Sequence, residues 1–234
     1  MSLRSTTSLS VKLPLPRRPA LVALSCLVLL AGCRTISPRW DVPTGPAFEP
    51  TNYSSIGEIP SALRRVAVLP LHSDAWESAQ TAAVEVSFST ELAKFERFET
   101  VAISRAQMRE EFGAETVVSS AALPADVLER LRAAHGADAV LFQDLTHFSP
   151  YQPIVIGVRA KLVSTIDGSV LWSFDALFDG AQPSVAVAAR DYHLQQGRPA
   201  HPLDNSSSIM QSPSRFAKYV AHAVFGTLPP RQTR

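Results

Sequence analysis

Cysteine is almost absent from this chain: two among 234 residues, Cys26 and Cys33, both near the N-terminus. No residue past 33 carries a thiol, which excludes a disulfide framework, a thiolate metal site and a cysteine nucleophile in the main body. Long apolar runs are scarce too. The one pronounced run, residues 20–30, has 11 residues, where a membrane-crossing helix needs about 20. An excess of basic charge is missing: 22 Lys and Arg face 21 Asp and Glu, so there is no electrostatic footprint of a nucleic-acid binder. There is no Gly-x-Ser-x-Gly elbow, no His-Glu-x-x-His pair and no Walker-type phosphate loop, so the common catalytic signatures do not apply. No internal repeat is evident.

What is present begins with Leu30-Ala31-Gly32-Cys33. Two small residues follow an apolar run and precede a cysteine, the pattern of a bacterial lipoprotein processing site. Arg4, Lys12, Arg17 and Arg18 form a positive region with no acidic residue, and residues 20–30 form the apolar core of an export signal. The alternative, a short transmembrane anchor, is disfavoured by length. Arg17-Arg18 suggests a twin-arginine route, but the flanking Pro16 and Pro19 and the leucine-rich run favour general secretion. Residues 1–32 are thus expected to leave as a signal peptide, taking Cys26 with them. Cys33 is the expected lipid attachment site, because a thiol is the nucleophile suited to a thioether-linked diacylglyceryl group. Two acyl chains give stable membrane anchoring where one gives only marginal binding. Loss of the four basic residues of the signal leaves 18 basic against 21 acidic, a formal charge of −3.

Residues 33–63 read as the lipidated cysteine and a tether, punctuated by Pro38, Pro43, Pro46, Pro50 and Pro60. Extended at about 3.1 Å per residue, such a segment reaches roughly 90 Å. Trp40, Phe48 and Tyr53 leave open a second reading, in which the segment packs along the domain. Residues 64–228 are expected to form one globular α/β domain, followed by a tail at 229–234. A buried strand is expected at 65–71, then a helix over 75–95 with Val84, Phe88, Leu92 and Phe95 on one face. A strand at 98–103 follows. Ser104 and Gln107 form a capping box for a short helix that carries Met108 and Phe112 and stops at Gly113. Pro124 opens the next helix, with Val127, Leu128, Leu131 and Ala134 inward and Gly136 as its cap. Strands at 138–145, 154–165 and 170–178 come next, the last two joined by the turn signal Asp167-Gly168. Residues 184–196 fit a helix and 197–212 a loop. Pro213 opens a final helix with Phe216, Val220, Ala223 and Val224 as an apolar stripe that docks on the sheet.

Several stretches, in order, resemble a group of envelope lipoproteins. They are Val66-Ala67-Val68-Leu69-Pro70-Leu71, Glu91-Leu92-Ala93-Lys94-Phe95, Arg97-Phe98-Glu99-Thr100-Val101 into Ser104-Arg105, Gly136 to Phe142, and Ala160-Lys161-Leu162-Val163 into Asp167-Gly168-Ser169-Val170-Leu171-Trp172. The group includes the curli-secretion lipoprotein and the penicillin-binding-protein activator lipoproteins; the same pieces are similar to the N-terminal domain of the Tol-Pal propeller protein. The resemblance spans residues 64–178. It implies an α/β sandwich of two or three layers, with a mixed sheet of about five strands, flanking helices and a C-terminal helix. It also implies a non-catalytic role, binding an envelope partner or assembling into a ring. The long amphipathic hairpins with which the curli pore builds its barrel have no counterpart here, which argues against a pore. In such lipoproteins an aspartate after the cysteine signals retention at the inner membrane. Arg34 stands there instead, which implies the outer membrane and a domain facing the periplasm.

The remaining candidates for chemistry are sparse. His72, His135, His147, His193, His201 and His222 are scattered. Asp144 and His147, three apart, form the one acid/base or metal pair worth testing; ordinary polar residues at a strand end are the plainer reading. His72 and Asp74 follow the first strand, where α/β sheets often place ligands, but no phosphate-binding glycine pattern follows. Glu110-Glu111 point to different sides of a helix. Ser78, Ser87 and Ser89 have no histidine nearby in sequence. The sequence thus predicts a non-enzymatic, lipid-anchored envelope protein with no cofactor and no metal, an envelope protein as partner, and oligomerisation as an option. The alternatives are an envelope hydrolase using Asp144 and His147, or a ring-forming structural lipoprotein. The expected contact surface is the sheet edge or residues 181–211.

Overall fold

A computed structural model describes residues 43–122, 126–196 and 205–232. The expected signal peptide, Cys33, Trp40, Pro124 and His201 lie outside the described residues, as does most of the first half of the expected 197–212 loop.

The β-branched run after Arg64 forms strand β2 (Arg65–Val68), with Val66 and Ala67 fully buried. It is numbered second because a short strand precedes it, β1 (Tyr53–Ser55). Helix α1 (Ser78–Lys94) follows. It starts three residues later than expected because the Glu77 amide donates to the Gln80 side chain, fixing the first turn there. Val84, Phe88 and Leu92 are buried as the spacing predicts, and Phe95 packs at the margin. Strand β3 (Glu99–Ala102) leads to helix α2 (Arg105–Phe112). The expected capping box is formed: the Gln107 amide donates to Ser104 Oγ and the Ser104 amide to Gln107 Oε1. Gly113 ends the helix at φ 74°, a left-handed conformation that suits glycine. Helix α3 (Val127–His135) buries Val127 and Leu131. Ala134, expected inward, is exposed; the last turn is held instead by His135 Nε2 against Glu111 Oε2 at 3.2 Å.

The antiparallel strands β4 (Ala139–Ser149), β5 (Val155–Ser164) and β6 (Val170–Asp179) complete the sheet. Helix α4 (Pro183–Gln195), a 3-10 turn at Ser206–Gln211 and helix α5 (Pro213–Gly226) close the chain. The sheet order is β1-β6-β5-β4-β2-β3, with β2 parallel to β3 and β4 and the other pairs antiparallel. There are six strands where about five were expected.

The sixth comes from the segment read as a tether. Pro43 is buried, the Phe48 amide donates to the Ser184 carbonyl at 3.0 Å, and the Phe48 ring meets Phe178 edge-on at 5.3 Å. Tyr53 pairs with Phe174 across the sheet edge. Ile59 is wholly buried and bridges to Arg231, its amide donating to the Pro230 carbonyl. The prolines spoke for an extended chain, and extended it is. Three apolar anchors spaced along it then bind it to the body, the second of the two readings left open above. The expected tail shares in this, since Pro229 is buried and residues 230–232 hold Ile59.

The choice between two and three layers resolves by position. Strand β4 sends Ala139, Leu141 and Leu145 to one face, where α1, α4 and α5 pack. It sends Val140 and Phe142 to the other, against Met108 of α2 and Leu131 of α3. Strands β2 and β4 are thus covered on both sides, while the edge strand β3 is largely exposed. Strands β5 and β6 bury Ile156, Val158, Leu162, Trp172, Phe174 and Phe178 on the first face. On the other face Val163 joins the cluster with α2 and α3, while Arg159, Lys161, Ser173 and Asp175 are only partly buried and Leu177 is half-exposed. Helix α5 is buried more completely than its stripe predicted. It wedges between α1 and the sheet, with Phe225 edge-on to Phe88 at 5.8 Å and Tyr219 edge-on to Phe178 at 5.8 Å.

A bulge in β4 between Leu145 and His147 leans on Gly157 of β5. A Cβ there would lie 2.6 Å from Thr146 Oγ1 and 3.1 Å from the His147 amide nitrogen. Gly157→Ala is therefore expected to cost about 1–3 kcal/mol as overpacking, read as a lower urea midpoint with an unchanged slope.

Candidate functional site

The parallel strands β2 and β4 point their C-terminal ends the same way, and the polar residues cluster there. Pro70 has no amide to donate, yet pairing resumes beyond it. The His72 amide donates to the Gln143 carbonyl at 2.9 Å, and Leu145 donates back to His72 at 2.8 Å. This bridge sets His72 opposite Asp144. The loop 113–122 after α2 lies across both. Asp144 is 3% exposed and accepts from the Ser119 amide at 2.9 and 3.1 Å and from Ser119 Oγ at 2.5 Å. His72 Nδ1 contacts Thr116 Oγ1 at 2.9 Å and Nε2 contacts Asp74 Oδ1 at 3.0 Å. Lys161 Nζ donates to the Ser119 carbonyl at 2.9 Å. Arg109 and Glu115 pair at the loop's base. Beside the loop is a pocket of about 120 Å³ lined by Ser73, Trp76, Arg105, Glu115 and Thr116. Arg105 is committed to Glu85 at 2.6 Å and to the Leu71 carbonyl.

This geometry separates the pair singled out from sequence. Asp144 is taken up by Ser119, while His147 lies beyond the bulge and is exposed; the two share no hydrogen bond or ion pair. His72 and Asp74 do meet, but Asp74 is 89% exposed, so its charge is screened by water and does little to activate the imidazole. A carboxylate satisfied by the Ser119 amide and hydroxyl and an imidazole held at both nitrogens are fit to pin a loop. Among the described residues no cluster of three His, Cys, Asp or Glu could hold a metal. Ser119, Thr116 and Lys161 went unread in the sequence because their partners lie 25 to 44 residues away. Glu110 is exposed, and Glu111 is the partner of His135.

Cutting the central contact tests this reading. Asp144→Ala removes the acceptor of the charge-assisted hydrogen bonds from the Ser119 amide and hydroxyl. It is expected to cost about 1.5–3 kcal/mol and to raise amide exchange selectively across residues 113–122. Uniform exchange throughout the domain would contradict a local latch.

A second polar cluster lies where α1, α4 and α5 meet. Glu91 is wholly buried, bonded by Lys94 Nζ at 2.6 Å, with its other oxygen 3.9 Å from His222 Nδ1. His222 sits between the rings of Phe95 and Tyr192, at 5.4 and 5.0 Å. Among the described residues the buried hydroxyl of Tyr219 has no hydrogen-bond partner, while that of Tyr192 faces Glu91. Burial pushes both phenols well above the usual tyrosine range, with the Glu91 carboxylate adding to the effect at Tyr192. Burial pulls His222 below the usual histidine value, against the attraction of Glu91 and with the repulsion of Lys94. The unfolded chain then takes up a proton near pH 6.5 that the folded chain still refuses. Stability from this residue is fully present above about pH 6.5. It falls as pH drops toward the lowered folded value. Urea midpoints between pH 8 and 5 check this, and His222→Asn is expected to flatten that slope.

No protein-family model matches the chain, and no curated protein matches it. Solved structures do match in fold. The PelC dodecamer of Paraburkholderia phytofirmans is similar at 16% identity and a TM-score of 0.41, over 77% of this chain and 96% of that one. The lipoprotein GNA1162 of Neisseria meningitidis is similar at 22% identity and a TM-score of 0.35, over 49% and 79%. The LpoB C-terminal domain of Salmonella enterica is similar at 16% identity and a TM-score of 0.35, over 50% and 84%. A lipoprotein and an LpoB domain thus stand among the similar structures. The likeness is one of fold.

Proposed function

We propose that this chain is a lipid-anchored protein of the bacterial envelope, held in the outer membrane by acylated Cys33 and facing the periplasm with a non-catalytic domain that binds a partner or assembles. The lipobox Leu30-Ala31-Gly32-Cys33 carries the reading. Two features of the fold support the rest. The polar groups at the strand ends are spent on internal contacts that order the 113–122 loop. The outer face of β5 and β6 carries the Arg159–Asp175 pair, Lys161 and exposed Leu177 in one strip beside that loop. Such a mixed, half-apolar strip suits a protein partner better than a small molecule.

The test is photocrosslinking in the native host, with a reactive amino acid at Leu177 or, as control, at Val86 on the exposed side of α1. Discrete protein adducts from Leu177 and none from Val86 are expected. Equal, diffuse labelling from both positions would remove the sheet face as a docking surface.

A further inference from the structure

We infer that the domain is held close against the bilayer that carries its lipid, with the flank formed by residues 43–49 and α4 turned toward the headgroups. This rests on acylation of Cys33. A 30-residue tether would let the domain roam about 90 Å from the membrane. The structure withdraws most of that length. Pro43 is buried, Gly45 lies beside Val187 of α4, and Phe48 is fixed to Ser184 and Phe178. Further on, Tyr53 is in the sheet and Ile59 in the core, clasped by residues 230–232. Only ten chain steps separate Cys33 from Pro43. Whatever path they take, they span at most about 36 Å. The point of attachment is on the α4 flank, whereas the turn carrying exposed Ile166 lies at the far end of β5 and β6, about 26 Å along the strand. Pro43 therefore never leaves that reach of the lipid, whereas Ile166 can stand about 26 Å beyond it. Partners must come to the membrane surface, since the domain cannot reach to them across the periplasm.

Energy transfer to labelled headgroups measures this. The mature chain has no cysteine besides Cys33, so Ala47→Cys and Ile166→Cys each accept a single donor dye on acylated protein in phosphatidylethanolamine–phosphatidylglycerol vesicles. Strong transfer from position 47, weaker transfer from 166, and loss of both after inserting thirty Gly and Ser residues behind Arg34 are expected. Absent transfer from both positions in acylated protein, or stronger transfer from 166, overturns the short leash. Fatty-acid incorporation is measured on the same sample: if Cys33 carries no acyl chain, the anchoring reading falls and this inference with it.

Discussion

A Cys33→Ala chain is expected to leave the detergent-rich phase entirely, while the parent chain partitions into it. The reason is additive. Each buried methylene contributes about 0.8 kcal/mol, so a diacylglyceryl group holds where a single chain exchanges. Among the described residues no helix is long and apolar enough to cross a membrane. Labelling with a fatty-acid probe reads the same effect directly, as complete loss of signal in the variant. If the variant still incorporates the probe, or the parent never does, lipid attachment at Cys33 is wrong. The folded domain is a built-in control. Its core starts beyond the substituted residue, so the melting curve of the variant should match that of the unacylated parent domain.

The largest effect on stability is expected at Trp172. It is wholly buried near the start of β6, stacked on Phe174 at 6.0 Å, and its indole donates to Thr227 Oγ1 at 3.1 Å. It is paired with Ser55 of β1 on one side and Leu162 of β5 on the other. Trp172→Ala removes the largest side chain of the core and leaves a cavity that rigid strands cannot close. The expected cost is about 3–5 kcal/mol, a large share of the 5–15 kcal/mol typical of a domain. Because the indole also ties β6 to the end of α5, the C-terminal clasp on Ile59 should loosen with it. Protease cleavage at residues 49–58 should then rise. Ile166→Ala, at a 67% exposed turn, should stay within about 0.5 kcal/mol of the parent. A tryptophan variant that melts with the parent would mean that the β6 core is not where the stability lies.

Most of the fold was legible from local pattern. Period-two and period-four apolar spacing marked the five longer strands and the faces of α1 and α5. Ser104 with Gln107, Gly113 and Gly136 marked helix ends because caps act through neighbours within four residues. The site was not legible in the same way. Asp144 was found, but its partner in sequence, His147, is exposed and makes no hydrogen bond or ion pair with it. Its partner in space, Ser119, comes from a loop with no periodicity at all. Glu91 read as one more charge on a helix, and only the convergence of α1, α4 and α5 buries it.

The sequence alone determined the kinds of element and supplied the expected export signal and the candidate acylation site, since each of these is written in contiguous residues whose chemistry acts locally. Tertiary structure alone decided that residues 43–63 pack on the domain, that Leu177 stays exposed on one face of the sheet, and that Asp144 and His72 pin a loop. Those outcomes depend on which distant surfaces meet, and the free energy of such meetings is shared between residues tens to hundreds of positions apart.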